Sequence, residues 1–424
     1  MGILSITSII DIDGEYLNCF KDNKCIRCGQ SIFYPLEAGN FYCLSCISLG
    51  RVSTLDGAVI INELDDFSVT NKSYLTSSLK LTQQQIDISN QLIDSFKNQR
   101  DHLIWAVTGA GKTEMLFSLI DFVLMTGKRV AIVSPRIDVI LELAPRLQKA
   151  FAKIDLLTLY GDGDQYHLTN LTLMTSHQLL KFIDAFDSII VDEVDSFPLD
   201  SNPGLFFGIK KARKTKSSIV YLTATPTIEL KKQVNSKQLN TSFLPLRFHK
   251  GLLPVPTIAF VNNWDKQLDK CKLPKNLLQQ IKQLENNQQR FLLFVPRIKD
   301  AIRVQQIIQE SNIKMTGEYV YANDEKRQEK IQKMRNQQID YLVTTTILER
   351  GVTLPDIDVL VLGADHPIFT ENALVQIAGR VGRSKNRPEG LVTYYCQSRT
   401  DSINHAIQQI NQMNQKAKEL LANG

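Results

Sequence analysis

Residues 102–125 read HLIWAVTGAGKTEMLFSLIDFVLM, and this stretch decides the fold. An apolar run typical of a buried strand leads into a loop of small residues, and an apolar helical pattern follows it. Such a loop lets backbone N–H groups surround a phosphate at the helix N-terminus. Lys112 would place a positive charge on the β- and γ-phosphates of ATP, and Thr113 would offer a hydroxyl to Mg²⁺. The predicted nucleotide contacts are Thr108, Gly109, Ala110, Gly111, Lys112 and Thr113.

Short apolar runs of this kind recur along the chain and alternate with helical patterns, as buried parallel strands do. They predict strands at 102–107, 129–134, 171–176, 188–193 and 217–222, and a second set at 290–295, 340–345, 357–363 and 390–395. A final helix is expected over about 402–421. The pattern predicts an α/β protein with two tandem domains, each built on a parallel sheet.

The domain boundaries follow from where this rhythm starts and breaks. We expect an N-terminal region over 1–75, a first α/β domain over 76–245 and a second over 257–424 that includes the last helix. The polar stretch from Thr70 to Ser78 is predicted to be a linker, and the glycine- and proline-containing stretch 246–256 a hinge.

Composition sets limits on the class of protein. The chain has 424 residues, of which 43% are hydrophobic and 22% charged, as in soluble globular proteins. No apolar run approaches the roughly 18–20 residues that cross a bilayer, and the N-terminus lacks the basic start of a secretory signal. We therefore expect a cytoplasmic protein without membrane insertion. The net charge of +5 suits a polyanionic partner but does not demand one.

Four of the seven cysteines form two Cys-x2-Cys pairs, Cys25 with Cys28 and Cys43 with Cys46. In a cytosolic protein this spacing favours metal over disulfides, and four thiolates match a closed tetrahedral Zn²⁺ site. We predict a structural zinc module over about 19–50. The alternative is a set of unrelated buried cysteines.

An acidic sequence, DEVD at 192–195, directly follows the apolar run SIIV of the strand predicted at 188–193. Asp192 would hold Mg²⁺ through water, and Glu193 would orient and deprotonate the attacking water. An acidic turn that caps the next helix is the alternative. Because a phosphate loop lies some 80 residues upstream, the catalytic interpretation is favoured.

A third element, QIAGRVGR at 376–383, lies in the second predicted domain. Hydrolysis of ATP needs positive charge on the γ-phosphate in the transition state, and Arg380 and Arg383 could supply it. Three residues apart, they would share one face of a helix. The alternative is a solvated basic face, but two glycines inside a helix would be costly and suggest close packing.

Together these elements resemble helicase superfamily 2, whose motifs then appear in order over residues 81–383. LTxxQ at 81–85 resembles the adenine-recognising segment, SPR at 134–136 motif Ia, and TSH at 175–177 motif Ic. TAT at 223–225 resembles motif III, FVPR at 294–297 motif IV, and TTTILERGVT at 344–353 motif V. The resemblance implies two RecA-like motor domains that bind ATP between them.

The resemblance also assigns roles to residues in these motifs. It implies nucleotide contacts by Gln85 and Gly351 and a catalytic role for Gln376 beside the two arginines. It implies coupling of nucleotide state to motor movement by Asp195, Thr223 and Thr225. The implied contacts to the nucleic-acid backbone are Arg136, Thr175, Ser176, Arg297, Thr344 and Thr345. The basic run at 210–216 is expected to be mainly a solvated helix face.

Within the superfamily, the chain resembles the ComFA family of DNA-uptake proteins of competent Gram-positive bacteria. The N-terminal four-cysteine module, the short motor and the sequence GADHPIFTENALVQIAGRVGR at 363–383 carry this resemblance. It implies an ATPase stimulated by single-stranded DNA and recruited to the inner face of the cell membrane. It also implies a phosphoribosyltransferase-like partner and a membrane DNA channel, and it leaves room for an oligomer.

Three alternatives remain open at this point. An RNA helicase would share the same motor, because a nonspecific grip on the backbone is similar on either polymer. A PriA-like DNA helicase shares similar motor motifs, but its zinc sites interrupt the second motor domain. The third alternative, from another class, is a nucleotide-binding scaffold of a DNA-uptake complex.

Overall fold

The computed structural model describes residues 2–7, 15–76, 80–161, 163–349, 352 and 354–423. These residues form two compact units. The first unit spans Met1–Trp105 and Lys112–Phe243, and the second spans Ala106–Gly111 and Leu244–Gly424.

The N-terminal part of the first unit contains small antiparallel sheets. One three-stranded sheet has the order β1-β7-β2, and two hairpins pair β3 with β4 and β5 with β6. The strands are β1 (Ile3–Thr7), β2 (Glu15–Asn18), β3 (Phe20–Lys21), β4 (Lys24–Cys25), β5 (Phe33–Pro35), β6 (Phe41–Cys43) and β7 (Gly57–Ile61).

The main sheet of the first unit has seven strands in the order β10-β11-β9-β12-β13-β8-β14. The neighbouring strands from β10 to β8 pair in parallel. The strands are β8 (His102–Ala106), β9 (Val130–Ser134), β10 (Leu156–Leu159), β11 (Leu171–Thr175), β12 (Phe186–Val191), β13 (Arg213–Thr223) and β14 (Asn240–Leu244). The helices are α1 (Gln83–Lys97), α2 (Lys112–Met125), α3 (Ile137–Ala150), α4 (Pro203–Ala212) and α5 (Ile228–Asn235).

The second unit contains a six-stranded parallel sheet in the order β15-β20-β19-β16-β18-β17. Its strands are β15 (Thr257–Phe260), β16 (Arg290–Phe294), β17 (Gly317–Val320), β18 (Tyr341–Thr344), β19 (Ile357–Leu362) and β20 (Val392–Cys396). The helices are α6 (Trp264–Asp269), α7 (Lys275–Asn286), α8 (Ile298–Glu310), α9 (Arg327–Arg335), α10 (Glu371–Ala378) and α11 (Asp401–Asn423).

This architecture confirms the predicted α/β class with two parallel sheets, and all nine predicted strands are present. The four strands that the sequence did not reveal are β10, β14, β15 and β17, which are the edge strands of the two main sheets. An edge strand is buried less completely than a central one, so it lacks the continuous apolar run that marked the others.

The polar stretch predicted as a linker makes specific contacts in its described part, residues 70–76. The Thr70 N–H donates to the carbonyl of Met125 at the end of α2, and the Tyr74 N–H donates to the Asp121 carboxylate. The Thr76 N–H donates to the carbonyl of Ala150 at the end of α3. These bonds fasten the stretch to the motor helices. Ser77 and Ser78 lie outside the described residues.

Candidate functional site

The phosphate loop joins β8 to α2. β8 ends at Ala106, and α2 begins at Lys112, so Lys112 and Thr113 lie in its first turn. Gly109 and Gly111 have φ values of 79° and 71°, in the left-handed region that glycine adopts without strain. The loop therefore has the strand–turn–helix geometry that surrounds phosphate with backbone N–H groups. Thr108 and Ala110 are buried.

The DEVD sequence follows β12 at the same edge of the main sheet. β9, β12, β13 and β8 are adjacent and parallel, so their carboxyl ends meet at one edge. The Asp192 N–H donates to the carbonyl of Val133 on β9 over 2.8 Å, and the Glu193 N–H donates to Asp192 Oδ1 over 2.9 Å. The topology thus brings the acidic pair and the start of α2 to one edge, as magnesium and water activation require.

Asp195, Thr223 and Thr225 form one buried hydrogen-bonded cluster. Thr223 Oγ1 donates to Asp195 Oδ1 over 2.5 Å, and the Thr225 hydroxyl donates to Asp195 Oδ2. The Thr225 N–H in turn donates to Thr223 Oγ1 over 2.8 Å. All three residues are at most 2% exposed. The cluster therefore joins the loop after β12 to the end of β13 through buried hydrogen bonds.

Gln85 has a local structural role beside its predicted nucleotide contact. Thr82 is the N-cap of α1, and its hydroxyl accepts a hydrogen bond from the Gln85 N–H. Gln85 Oε1 accepts the Thr82 N–H over 2.9 Å, which completes a capping box. This pair fixes Gln85 at the start of α1, where it is 1% exposed.

The two arginines of QIAGRVGR do not lie on a helix, so the expectation of a shared helix face was wrong. α10 ends at Ala378 with Gly379 as its C-cap, and Gly382 has a φ of 69°. The glycines therefore end the helix and shape the turn after it, rather than lying inside it. Gln376 is on α10 and buried.

Arg380 is buried and fastens this turn to the preceding motif of the second unit. Its Nε donates to the carbonyl of Glu349 over 3.1 Å, and its Nη1 donates to the carbonyl of Val352. Arg383 Nε donates to the carbonyl of Gly379 over 3.1 Å. Gly351, a predicted nucleotide contact, lies outside the described residues.

The predicted nucleic-acid contacts fall at the carboxyl ends of strands in both units. In the first unit, Thr175 ends β11 beside Ser134 of β9, and the Ser176 N–H donates to the carbonyl of Ser134. Arg136 is the N-cap residue of α3, and its side chain is 19% exposed. Thr175 and Ser176 are buried, so Arg136 is the accessible side chain of this group.

In the second unit, Thr344 ends β18, and its carbonyl accepts the Val295 N–H over 2.8 Å. Thr344 and Thr345 are 0% and 8% exposed. Arg297 precedes α8, and its Nε donates to Asp300 Oδ2 over 2.6 Å. This bond raises the pKa of the Arg297 guanidinium. With a side chain 38% exposed, Arg297 remains accessible to a phosphate.

Three of the five basic side chains in the run at 210–216 bind other residues of the first unit. Lys211 Nζ donates to the carbonyls of Arg27 and Leu180, over 2.9 and 2.7 Å. Arg213 pairs with Asp101, and Lys214 pairs with Asp187. Part of the run is moreover the start of β13 rather than a helix face. Lys210 and Lys216 are exposed.

The four paired cysteines converge on one buried point. Their Sγ atoms all lie within 4.8 Å of one another, with 3.8 Å between Cys25 and Cys46 and 3.5 Å between Cys28 and Cys43. A tetrahedral site with Zn–S distances of about 2.3 Å has S···S separations of about 3.8 Å. The cluster therefore fits Zn²⁺ with the thiolates of Cys25, Cys28, Cys43 and Cys46 as ligands. Gly29, with a φ of 70°, makes the tight turn of the first pair.

The cysteine cluster is part of the core of the first unit. The four residues belong to one hydrophobic cluster with Leu179, Leu180, Leu205 and Ile209. Arg27 Nη1 donates to the carbonyls of Leu49 and Gly50 and so ties the two Cys-x2-Cys segments together. Cys19 is also buried, and its burial raises the pKa of the thiol to about 11.

Two family models match the chain. The model described as "Type III restriction enzyme, res subunit" matches residues 78–228, and "Helicase conserved C-terminal domain" matches residues 270–385. The chain is 41% identical to "Competence protein ComFA" of Bacillus subtilis (strain 168) over 405 residues, which are 94% of this chain and 87% of that protein. It is 38% identical to the protein of the same name from Streptococcus pneumoniae over 395 residues, 93% of this chain and 90% of that protein.

The chain belongs to the ComFA family.

As a ComFA-family protein it carries the helicase domains of an ATP-dependent enzyme, which confirms the predicted superfamily. A transcription-repair-coupling factor of Staphylococcus haemolyticus is 25% identical over 334 residues, 72% of this chain but only 26% of that protein. Among solved structures, S. cerevisiae Dbp5 bound to RNA and ADP BeF3 matches with a TM-score of 0.54 and 14% identity, covering 79% of this chain and 92% of that one. This likeness shows a shared fold.

Two site residues of this ComFA-family chain were missed in the sequence. Trp105, in β8, donates its Nε1–H to the carbonyl of Ala224 over 3.0 Å and so ties the strand before the phosphate loop to the TAT motif. Arg247, in the stretch predicted as a hinge, donates to carbonyls of the turn after α10. No motif marks either residue, because each acts on backbone atoms.

In the described part of the chain, no helix is both long and apolar enough to span a bilayer.

Proposed function

We propose that this chain hydrolyses ATP to move along single-stranded DNA during the uptake of transforming DNA. The observation that carries the proposal is that the start of α2, with Lys112, lies at the same sheet edge as Asp192 and Glu193, in a chain of the ComFA family. The relatives are named competence proteins, which supports a role in DNA uptake for this chain.

In the proposed reaction, Lys112 and the backbone of the phosphate loop bind the β- and γ-phosphates. ATP is bound with Mg²⁺, which Thr113 and Asp192 would hold, and Glu193 orients and deprotonates the attacking water. Arg380 and Arg383 supply positive charge as negative charge develops on the γ-phosphate. Gln376 is proposed to act in catalysis beside the two arginines, and Gln85 is proposed as a further nucleotide contact.

The same proposal gives the accessible arginines a role on the nucleic acid. Arg136 and Arg297 each precede a helix at the carboxyl edge of a sheet and would contact backbone phosphates. Thr175, Ser176, Thr344 and Thr345 are buried beside them, so the two arginines are the accessible side chains of the proposed contacts. Contacts of this kind hold a strand without reading its sequence.

Further parts of the proposal concern the surroundings of the protein. A phosphoribosyltransferase-like competence protein and a membrane DNA channel are the proposed partners, at the inner face of the cell membrane. The zinc module is proposed to be structural, because its four thiolates leave no open coordination position for chemistry.

The test is ATP hydrolysis by the purified protein at fixed salt, alone and with single-stranded DNA, duplex DNA or single-stranded RNA. We expect strong stimulation by single-stranded DNA and no turnover in Lys112→Ala. Equal or greater stimulation by RNA would instead identify an RNA helicase. Absence of hydrolysis under every condition would identify a nucleotide-binding scaffold.

A further inference from the structure

A buried arginine lies just after β14, in the stretch that the sequence marks as a hinge. Arg247 is 2% exposed. Its Nη1 donates to the carbonyls of Val381 and Gly382, over 2.5 Å each, and its Nη2 donates to the carbonyl of Gly379 over 3.2 Å. One guanidinium thus binds three carbonyls of the turn that carries Arg380 and Arg383.

The turn begins at Gly379, the C-cap of α10, and the carbonyls of Val381 and Gly382 lie just beyond the helix end. The last carbonyls of a helix have no partner within the helix, and a cation near that end also matches the helix dipole. His249 Nε2 lies 2.9 Å from the Gly382 carbonyl and adds a second contact from the same stretch. The guanidinium packs directly against Gly382, since a Cβ at that position would lie 2.7 Å from Arg247 Nη1.

The same stretch also contacts the phosphate loop, which belongs to the second unit in its residues 106–111. The Phe248 N–H donates to the carbonyl of Gly109 over 3.0 Å. A Cβ on Gly109 would lie 3.9 Å from Arg247 Cγ and 4.0 Å from Arg383 Cγ. The aliphatic parts of both arginines therefore lie beside the loop that binds phosphate.

Holding a guanidinium in this position is costly. Its hydrogen-bond acceptors in the described part of the chain are neutral carbonyls. Burial, with the nearby charge of Arg383, lowers the pKa of Arg247 to about 9. A buried cation that binds only carbonyls is a poor way to gain stability, so its position beside the phosphate loop points to a role in the reaction.

We propose that Arg247 is a positioning residue of the ATPase, which holds the turn at 379–382 so that Arg383 is directed at the γ-phosphate. The inference rests on the proposed function, because it needs Arg383 to act on ATP. Arg247 acts through backbone carbonyls rather than through the nucleotide. The three bonds use both terminal nitrogens of one planar group. Lysine also has three N–H donors, but they share one nitrogen and do not reproduce this fork.

The experiment compares Arg247→Lys and Arg247→Met with Lys250→Met, a control at an exposed lysine of the same stretch. We measure kcat and KM for ATP hydrolysis, the affinity for ADP with and without aluminium fluoride, and thermal unfolding. For both Arg247 variants we expect kcat to fall about tenfold or more with KM nearly unchanged, as for loss of a transition-state interaction. The affinity for ADP with aluminium fluoride should fall, that for ADP alone should not, and Lys250→Met should match the wild type.

A double variant separates this role from a merely structural one. If Arg247 acts through the turn, adding Arg247→Lys to Arg383→Ala should lower kcat by less than the product of the two single effects. Multiplicative effects, or a kcat of Arg247→Lys within twofold of wild type, overturn the inference. If Arg247→Met does not fold, Arg247→Lys still decides. Failure of the proposed function gives a different result, namely a wild type that does not hydrolyse ATP or one that Lys112→Ala leaves unchanged.

Discussion

Thr223 and Asp195 are joined by a hydrogen bond of 2.5 Å between the Thr223 hydroxyl and one carboxylate oxygen. Asp195 closes the DEVD sequence, and Thr223 is the last residue of β13. The other carboxylate oxygen accepts the hydroxyl of Thr225. Asp195 is 2% exposed, so these two hydroxyls take the place of water.

Loss of the Thr223 hydroxyl should uncouple ATP hydrolysis from the nucleic acid. In Thr223→Val the shape is kept, but a buried carboxylate loses a donor, which costs about 1–3 kcal/mol of stability. We expect basal hydrolysis to persist while stimulation by single-stranded DNA is lost. Thr223→Ser keeps the hydroxyl and is the matched control. Stimulation retained in Thr223→Val would show that the bond is only structural.

Lys112 and Glu193 should be essential for turnover but not for binding DNA. Lys112→Ala removes the charge on the phosphates, and Glu193→Gln removes the base while keeping the shape. We expect each to lower kcat by at least about 100-fold, the usual scale for loss of a general base or of a charge that stabilises the transition state. Binding to labelled single-stranded DNA, measured by anisotropy, should survive in both. Retained turnover would contradict the site assignment.

Arg383→Ala should lower kcat far more than it weakens ATP binding, because an arginine that neutralises transition-state charge is worth about 10³–10⁵ in rate. Kinetics with ATP and equilibrium binding of a nonhydrolysable analogue separate the two effects. Lys385, an exposed residue of the same loop, provides the control variant Lys385→Ala. An equal loss of affinity and rate would argue against this role.

The sequence was most informative where residues are buried on all sides or bind a ligand. Strands such as β9 and β12 were visible because every residue in them is buried. The edge strands β10 and β17 were missed because their half-exposed residues mix polar and apolar types.

The parts of the site that sequence reasoning missed are those that act on backbone atoms. Arg247 binds backbone carbonyls. In the sequence, such an arginine cannot be distinguished from any other basic residue in a loop. The prediction of a helix that carries Arg380 and Arg383 was wrong because Gly379 ends α10, and Gly382 shapes the turn beyond it. Lys211 was expected on a solvated face, although it binds the carbonyl of Arg27 next to the cysteine cluster.

Removal of zinc should destabilise the whole first unit and not only its zinc module. The four cysteines share a hydrophobic cluster with α4 residues such as Leu205 and Ile209. We expect Cys43→Ser, or chelation of the wild type, to release one zinc per chain and to lower the melting temperature of the first unit. Cys271→Ser, at an exposed cysteine outside the cluster, should change neither. Loss of zinc without a thermal shift would show that the module is energetically separate.

The stability of the first unit should fall as the pH is lowered through the titration of His102. This residue is 3% exposed in β8, with Nδ1 2.9 Å from Ser95 Oγ and Nε2 2.8 Å from Ser242 Oγ. Because Ser242 donates its hydroxyl proton to Gln91, it accepts from Nε2–H, which leaves Nδ1 to accept from Ser95. The hydroxyls thus satisfy a neutral imidazole.

Burial lowers the pKa of His102 from 6.5 to about 4, so the unfolded chain binds the proton more tightly than the folded one. The stability that the neutral ring gives is fully present above the unfolded pKa and is lost as the pH falls toward the folded pKa. Between about pH 7.5 and about pH 5 the loss should reach about 2 kcal/mol. Urea unfolding at the two pH values measures it, with His102→Gln as the control that removes the titrating group. An equal pH dependence in wild type and variant would assign the effect to other groups, because only the wild type retains the buried imidazole at position 102.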